Sequence, residues 1–278
     1  MREDDYVSEY NPDLHLEKNS INLGDCLQLM NGIKDNSVDM VLCDLPYGTS
    51  QCSWDSIIDL DRLWLQYDRI IKDNGAIVLT ANFKFSNILI KSNNSLFKYK
   101  WIWDKVIGVN FMNVNKMPNF GFEEVLVFYK SLPTYNPQME KGNPYQDNRK
   151  NDRRTDTEAL GSRAKYIKQN NEGERYPRGI IEFSARNNNP LHPTQKPVAL
   201  FEYLIKTYTN EGDLVLDNTS GSGGVAISSI LTNRDYICIE KEQEYYDKSV
   251  MWRDLVDSGM GYKEAMKAVK EEFDKRSD

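Results

Sequence analysis

Residues 44–47, Asp-Leu-Pro-Tyr, bring together a carboxylate, a backbone carbonyl next to a ring-locked residue, and an aromatic face. They follow an apolar run, Met40 to Cys43, that reads as a buried strand of a parallel sheet. Pro46 ends the ladder, so these groups fall just past the strand's carboxyl end, where open α/β sheets bind ligands. The set suits chemistry on an exocyclic amino group of a nucleobase. Such a nitrogen is a poor nucleophile, because its lone pair is delocalised into the ring. Asp44 and the Leu45 carbonyl can each accept one N–H bond and localise that pair, while Tyr47 stacks on the ring. Taken alone, the tetrapeptide reads equally well as a simple loop after a strand.

A second cluster lies near the other end. Asp213–Asp217 predicts a strand, Asn218-Thr-Ser-Gly-Ser-Gly-Gly224 a glycine-rich turn, and the next residues a helix to about Leu231. Tyr236–Ile239 predicts a further strand that ends on Glu240, 19 positions after Gly221. An acidic residue there can accept both hydroxyls of a ribose, which points to a nucleoside-bearing cofactor. The third glycine of Gly-x-Gly-x-x-Gly is missing, which disfavours a dinucleotide.

Several groups of residues match one family. Asp44-Leu-Pro-Tyr47 resembles the Asp-Pro-Pro-Tyr motif of the amino-group DNA methyltransferases, which use S-adenosylmethionine; Leu45 replaces a proline. The glycine turn resembles their Asp-Pro-Phe-x-Gly-Ser-Gly-Thr-Thr motif, with Asn218 for the proline, Thr219 for the phenylalanine and Gly224-Val225 for the threonines. By that match Asp217, Asn218, Thr219, Gly221 and Gly223 join Glu240 as cofactor contacts. His192-Pro-Thr-Gln-Lys-Pro197 matches a motif whose lysine lies near the cofactor's carboxylate, which nominates Lys196. The Gly24-Asp25 corner corresponds to one beside the cofactor's adenine and nominates Asp25 and its neighbour Cys26; Asp25 also reads as a helix N-cap. The catalytic corner precedes the cofactor turn, the permuted order of the β group.

The implied fold is α/β, a doubly wound Rossmann-like methyltransferase sheet with an inserted target-recognition region. Its catalytic half spans 19–130 and its cofactor half 191–246, followed by a helical extension over 247–278. Helices are expected over Leu60–Ile71, ending at Asp73-Asn-Gly75, and over Phe85–Lys91. Phe97, Tyr99, Trp101 and Trp103 alternate as a half-buried strand should, with Val125–Tyr129 as its partner. The amide-rich stretch between them, 110–118, reads as a loop. Tyr262, Ala265, Met266, Val269 and Phe273 mark one face of a terminal helix, which docks on its own domain or joins a homodimer.

The inserted region, 131–190, loses periodicity and gains charge. From Lys130 to Arg186 there are twelve basic and eight acidic residues, a net +4 in a chain whose total is -7. That asymmetry suits one face for double-stranded DNA, with Arg149, Lys150, Arg153, Arg154, Arg175 and Arg178 as candidate contacts. A mean hydropathy of -0.65 without any long apolar run excludes a membrane-spanning helix. Four scattered cysteines and two histidines predict no metal and a reducing cytoplasm, and the family resemblance implies a bacterial or phage-encoded protein.

These features together point to transfer of a methyl group from S-adenosylmethionine to adenine N6 in duplex DNA after base flipping. N4-cytosine methylation uses the same kind of corner, though it more often begins with serine. An RNA- or protein-amide N-methyltransferase, or a DNA-binding module without chemistry, are the remaining alternatives. C5-cytosine methylation is excluded, because Tyr47 stands where that reaction needs its cysteine nucleophile.

Overall fold

The computed structural model describes residues 8–49, 55–108, 111–146, 171–187 and 189–277. Residues up to Asn136, together with Gly179–Asp278, form one compact unit, and Pro137–Arg178 forms a second. The chain begins β1 (Ser20–Leu23), α1 (Cys26–Leu29), β2 (Val38–Cys43), α2 (Leu60–Ile70), β3 (Ile71–Ala81) and α3 (Phe83–Ser92). It continues β4 (Phe97–Asp104) and β5 (Phe122–Phe128), then β6 (Glu140–Lys141) and β7 (Glu174–Arg175) in the small unit. After β8 (Ile180–Glu182) come α4 (Val198–Tyr208), β9 (Leu214–Asp217), α5 (Gly224–Leu231), β10 (Asp235–Glu240), α6 (Gln243–Asp257) and α7 (Tyr262–Ser277).

Eight strands of the large unit form one sheet in the order β1-β10-β9-β2-β3-β5-β4-β8. β1, β10, β9, β2 and β3 are parallel, β5 runs against β3 and β4, and β8 runs parallel to β4. The strand order turns between β2 and β9: one continues through α2 to β3, the other through α5 to β10. Such a switch point opens a crevice at the carboxyl ends of the strands.

The continuous apolar run of β2 follows from burial on both faces. Val41 and Cys43 pack with Leu63, Tyr67 and Ile70 of α2 and Phe85 and Leu89 of α3. Met40 and Leu42 point the other way, into Leu200, Phe201, Leu204 and Tyr208 of α4. Alternate side chains thus anchor opposite helical layers and hold the strand end rigid.

Three boundaries differ from the sequence reading. α2 stops at Ile70 and β3 starts at Ile71, so Asp73-Asn-Gly75 lies inside the strand instead of ending the helix. Only glycine fits at position 75, where an added Cβ would come within 2.9 Å of the Asp39 carbonyl. The expected insertion of 131–190 contracts to the compact unit 137–178, because Ile180–Glu182 joins the sheet beside β4 and buries Ile181 against Trp101 and Trp103. The expected extension from 247 starts inside α6, which runs unbroken from Gln243.

α6 and α7 bury Trp252, Val256, Ala265 and Val269 against Leu191, Val198 and Ile227, so the terminal apolar stripe is covered by its own domain. The Trp252 indole N–H donates to the Tyr262 carbonyl at 2.8 Å and ties the two helices together. Among the described residues no helix is long and apolar enough to cross a membrane. Trp252→Ala should cost about 3–5 kcal/mol of stability, as expected for a fully buried aromatic. Urea unfolding followed by fluorescence, with the midpoint compared to wild type, measures it.

Candidate active site

A cleft of about 670 Å³ opens at the switch point, within the ~300–1,000 Å³ typical of small-molecule sites. It is lined by the corner after β2, the turn after β9 and the loop before α4. Asp25, Cys26, Asp44, Leu45, Pro46, Tyr47, Lys196, Asp217, Asn218, Thr219, Gly221 and Glu240 all border it, gathered from both ends of the chain.

At its centre stands the Asp44 carboxylate. Its Oδ1 accepts from the Tyr47 hydroxyl at 2.7 Å and from the Thr80 hydroxyl at 2.5 Å, and its Oδ2 accepts from Lys196 Nζ at 2.6 Å. Lys196 also lies 3.4 Å from Glu123 Oε2, and Glu123 Oε1 accepts from Lys105 Nζ at 2.6 Å. Two carboxylates and two ammonium groups therefore alternate through the cleft wall. Burial alone would pull the Lys196 pKa down, but Asp44 and Glu123 reverse this and leave it raised. Burial, Asp44 and Glu123 push the Tyr47 phenol well above its ordinary value, so it remains a donor. Its ring lies 5.2 Å from that of Phe85, which fixes its plane.

Lys196, expected at the cofactor's carboxylate, is here the partner of Asp44 and Glu123. Thr80, Lys105 and Glu123 carried no signal in the sequence. Thr80 ends an apolar strand, and Glu123 opens one that pairs with both β3 and β4. The parallel pairing of β2 with β3 sets Thr80 beside Asp44, and the pairing of β5 with β3 and β4 brings Glu123 and Lys105 to the corner.

The second half of the cleft is built by the turn after β9. Glu240 Oε2 accepts from the Gly221 N–H at 2.6 Å and Oε1 from the Glu242 N–H at 2.8 Å, leaving a lone pair on each oxygen for a ligand. Burial raises its pKa despite these bonds. Gly221 has φ +51°, a left-handed conformation that brings its backbone under the carboxylate. The Ser220 hydroxyl, on the cleft wall, is buried without a hydrogen-bond partner. Burial pushes the Asp217 carboxyl up to about 8, against one backbone bond from Thr219. His192 is pulled down to about 4, mainly by burial, and lies edge-on to Tyr245 at 4.2 Å.

Other expected residues have structural duties. Asp25 caps α1 through the N–H groups of Leu27 and Gln28 while bordering the cleft. Cys26 is buried, and burial raises its thiol to about 11. Asn218 sits beneath the corner, where its Oδ1 accepts from Tyr67 at 2.6 Å and from Cys43 at 2.9 Å. Gly223 packs against Ser249 of α6 and does not border the cleft. Arg175 braces the small unit, with its guanidinium bonded to Asn171, the Asn143 carbonyl and the Glu174 carbonyl, 4.8 Å over the Tyr145 ring. Arg178 is exposed, and Arg149, Lys150, Arg153 and Arg154 lie outside the described residues. No cluster of three or more His, Cys, Asp or Glu suited to a metal occurs among the described residues.

The family model described as DNA methylase, covering N6 and N4 amino methylation, matches residues 38–251. The chain belongs to this family of amino DNA methyltransferases. Type II methyltransferase M2.MboI of Moraxella bovis is 28% identical over 251 residues, covering 81% of this chain and 84% of that protein. Type II methyltransferase M.HpaI of Haemophilus parainfluenzae is 25% identical over 252 residues, covering 84% and 72%. The fold is shared with the M1.HpyAVI–SAM complex, with a TM-score of 0.57, 22% identity and coverage of 83% and 96%. It is also shared with the PvuII cytosine-N4-specific DNA methyltransferase, with a TM-score of 0.61, 17% identity and coverage of 92% and 93%.

For this methyltransferase, the raised Asp217 pKa has a consequence for stability. The folded protein holds a proton that the unfolded chain releases at the ordinary carboxylate value, so between about pH 4 and 8 stability falls as pH rises. The slope from one such group approaches ~1.4 kcal/mol per pH unit. Asp217→Asn should therefore gain on wild type as pH rises from 5.5 to 7.5 in urea unfolding. A difference that stays constant with pH would show that Asp217 ionises normally.

Proposed function

We infer that this methyltransferase transfers the methyl group of S-adenosylmethionine to the N6 amino group of adenine in duplex DNA, after the base leaves the stack. The observation that carries the reading is the Asp44 carboxylate, aligned by three donors and still holding a free lone pair on Oδ2. A target amino group donating to that oxygen gains electron density on nitrogen as its lone pair leaves the ring. Thr80, Tyr47 and Lys196 keep the acceptor from turning away, so little reorganisation remains for the reactive step.

The other half of the cleft fits S-adenosylmethionine. Glu240 offers two lone pairs for ribose hydroxyls, and the orphaned Ser220 hydroxyl offers a bond to a polar ligand. Bound there, the cofactor supplies an electrophilic methyl group on a sulfonium. N4-cytosine is the second reading, favoured by the likeness to the PvuII enzyme. Mass analysis of deoxynucleosides from DNA treated with enzyme and labelled cofactor separates the two: N6-methyldeoxyadenosine is expected, and N4-methyldeoxycytidine would replace the assignment.

Asp44→Ala should reduce single-turnover methylation about a hundredfold or more while cofactor binding largely persists. Near wild-type turnover would reduce the corner to a loop. Glu240→Ala should weaken cofactor binding roughly ten- to a hundredfold, the loss of a charge-assisted hydrogen bond of ~1.5–3 kcal/mol. Calorimetry reads it directly, and unchanged affinity would move the ribose elsewhere.

A further inference from the structure

The connection from β4 to β5, residues 105–121, stands on the catalytic edge of the sheet. Asp104 pairs with Phe122 and Ala81 with Glu124, so its two ends meet the carboxyl end of β3. Those ends carry Lys105 and Glu123, the ion pair in the cleft wall. Its described residues are built rather than slack. The Lys105 N–H donates to the Gly121 carbonyl at 2.7 Å, a Cβ on Gly108 would coincide with the Asn119 side chain, and Met117 and Lys116 donate back to Asn113.

Its composition is unlike the rest of this acidic chain. It holds two lysines, four asparagines and no carboxylate. Among its described side chains Met112, in the short helical turn Phe111–Asn113, is 83% exposed, and Val114 and Met117 are exposed as well. At its base the Phe120 ring stacks on Phe83 at 5.7 Å and meets Phe122 edge-on at 6.1 Å. Phe83, half exposed, begins α3 next to Asn82, which lines the catalytic cleft. Contiguous exposed apolar side chains rimmed by polar groups mark an interaction site.

We propose that this rim is a DNA-contacting wedge: Met112, with Val114 and Met117, packs against bases beside the extruded nucleotide, with the Phe83–Phe120 pair as the aromatic floor. The inference rests on the function proposed above, which supplies the occupant. Extruding a base leaves an unstacked gap, and apolar side chains inserted at unstacked steps offset that loss. Aromatic faces stack on any base, amides bond to base edges and phosphates, and the absence of carboxylates avoids repulsion from the backbone. A second copy of this chain would need none of these amides and lysines beside a reactive cleft.

The test uses the full-length enzyme on a duplex carrying its own methylation site, found by sequencing DNA modified by wild type. Met112→Ala and Met112→Ser should lower the fluorescence gain of 2-aminopurine at the target position and cut single-turnover methylation about tenfold or more, with cofactor affinity unchanged. A mismatch opposite the target, which makes extrusion easier, should bring both variants to within about threefold of wild type. Phe83→Leu, which keeps bulk but removes the ring, should weaken DNA binding without altering the wild-type thermal midpoint. Unaltered extrusion in the Met112 variants would overturn the wedge. So would variants that only shift sedimentation toward monomer, which would assign the rim to a second copy. Failure of wild type to methylate any DNA would instead overturn the function on which the wedge rests.

Discussion

A carboxylate held in an ion pair inside a cleft sets the terms for everything around it. Asp44 is neutralised by Lys196, Lys196 is shared with Glu123, and Glu123 is balanced by Lys105. Charge alternates along this chain and sums to zero, so no member is buried alone. Removing one partner of such a set costs about 3–5 kcal/mol, because it strands the next charge out of water. Each member comes from a different element: the corner after β2, the loop before α4, the start of β5 and the residue after β4. The site therefore exists only when the whole sheet is in register, and its rigidity is that of the sheet.

The two halves of the cleft are linked below their floor. The Thr219 hydroxyl donates to the Asp44 carbonyl at 3.2 Å, and Asn218 gathers the Tyr67 hydroxyl and the Cys43 thiol. This accounts for the asparagine where family members carry proline. A proline has no side-chain acceptor, and the buried Tyr67 hydroxyl would lose its partner. Burial and the nearby Asp217 charge push the Cys43 thiol well up, as fits a packing residue with no nucleophilic role. The same switch point thus does two jobs, joining β2 to β9 by packing and presenting their ends to two ligands.

Much of the architecture was legible in the amino-acid order. Apolar runs placed β2, β3, β9 and β10, and alternation placed β4 against β5, because burial on two faces or one leaves those signatures. The corner at Asp44 and the turn at Gly221 were legible for a similar reason. Both are strand ends where a proline or a left-handed glycine interrupts the ladder. Boundaries were less so: Asp73-Asn-Gly75 has the composition of a helix stop yet lies within β3, because the sheet requires a glycine beside the Asp39 carbonyl.

Sequence alone determined the order of the motifs, the residue types at each strand end and hence the class of chemistry. What it left open was who stands beside whom. Thr80 reaches Asp44 through the parallel pairing of β2 with β3, and Glu123 joins them through the register of β5 between β3 and β4, pairings of segments far apart in the chain. Lys196 arrives from 152 positions downstream and meets the Asp44 carboxylate, a partner that its motif did not suggest. Local pattern records what each residue needs: burial, a turn, an acceptor. Which distant group meets that need is decided by strand pairing and by the neutralisation of charges that only the folded sheet brings into contact.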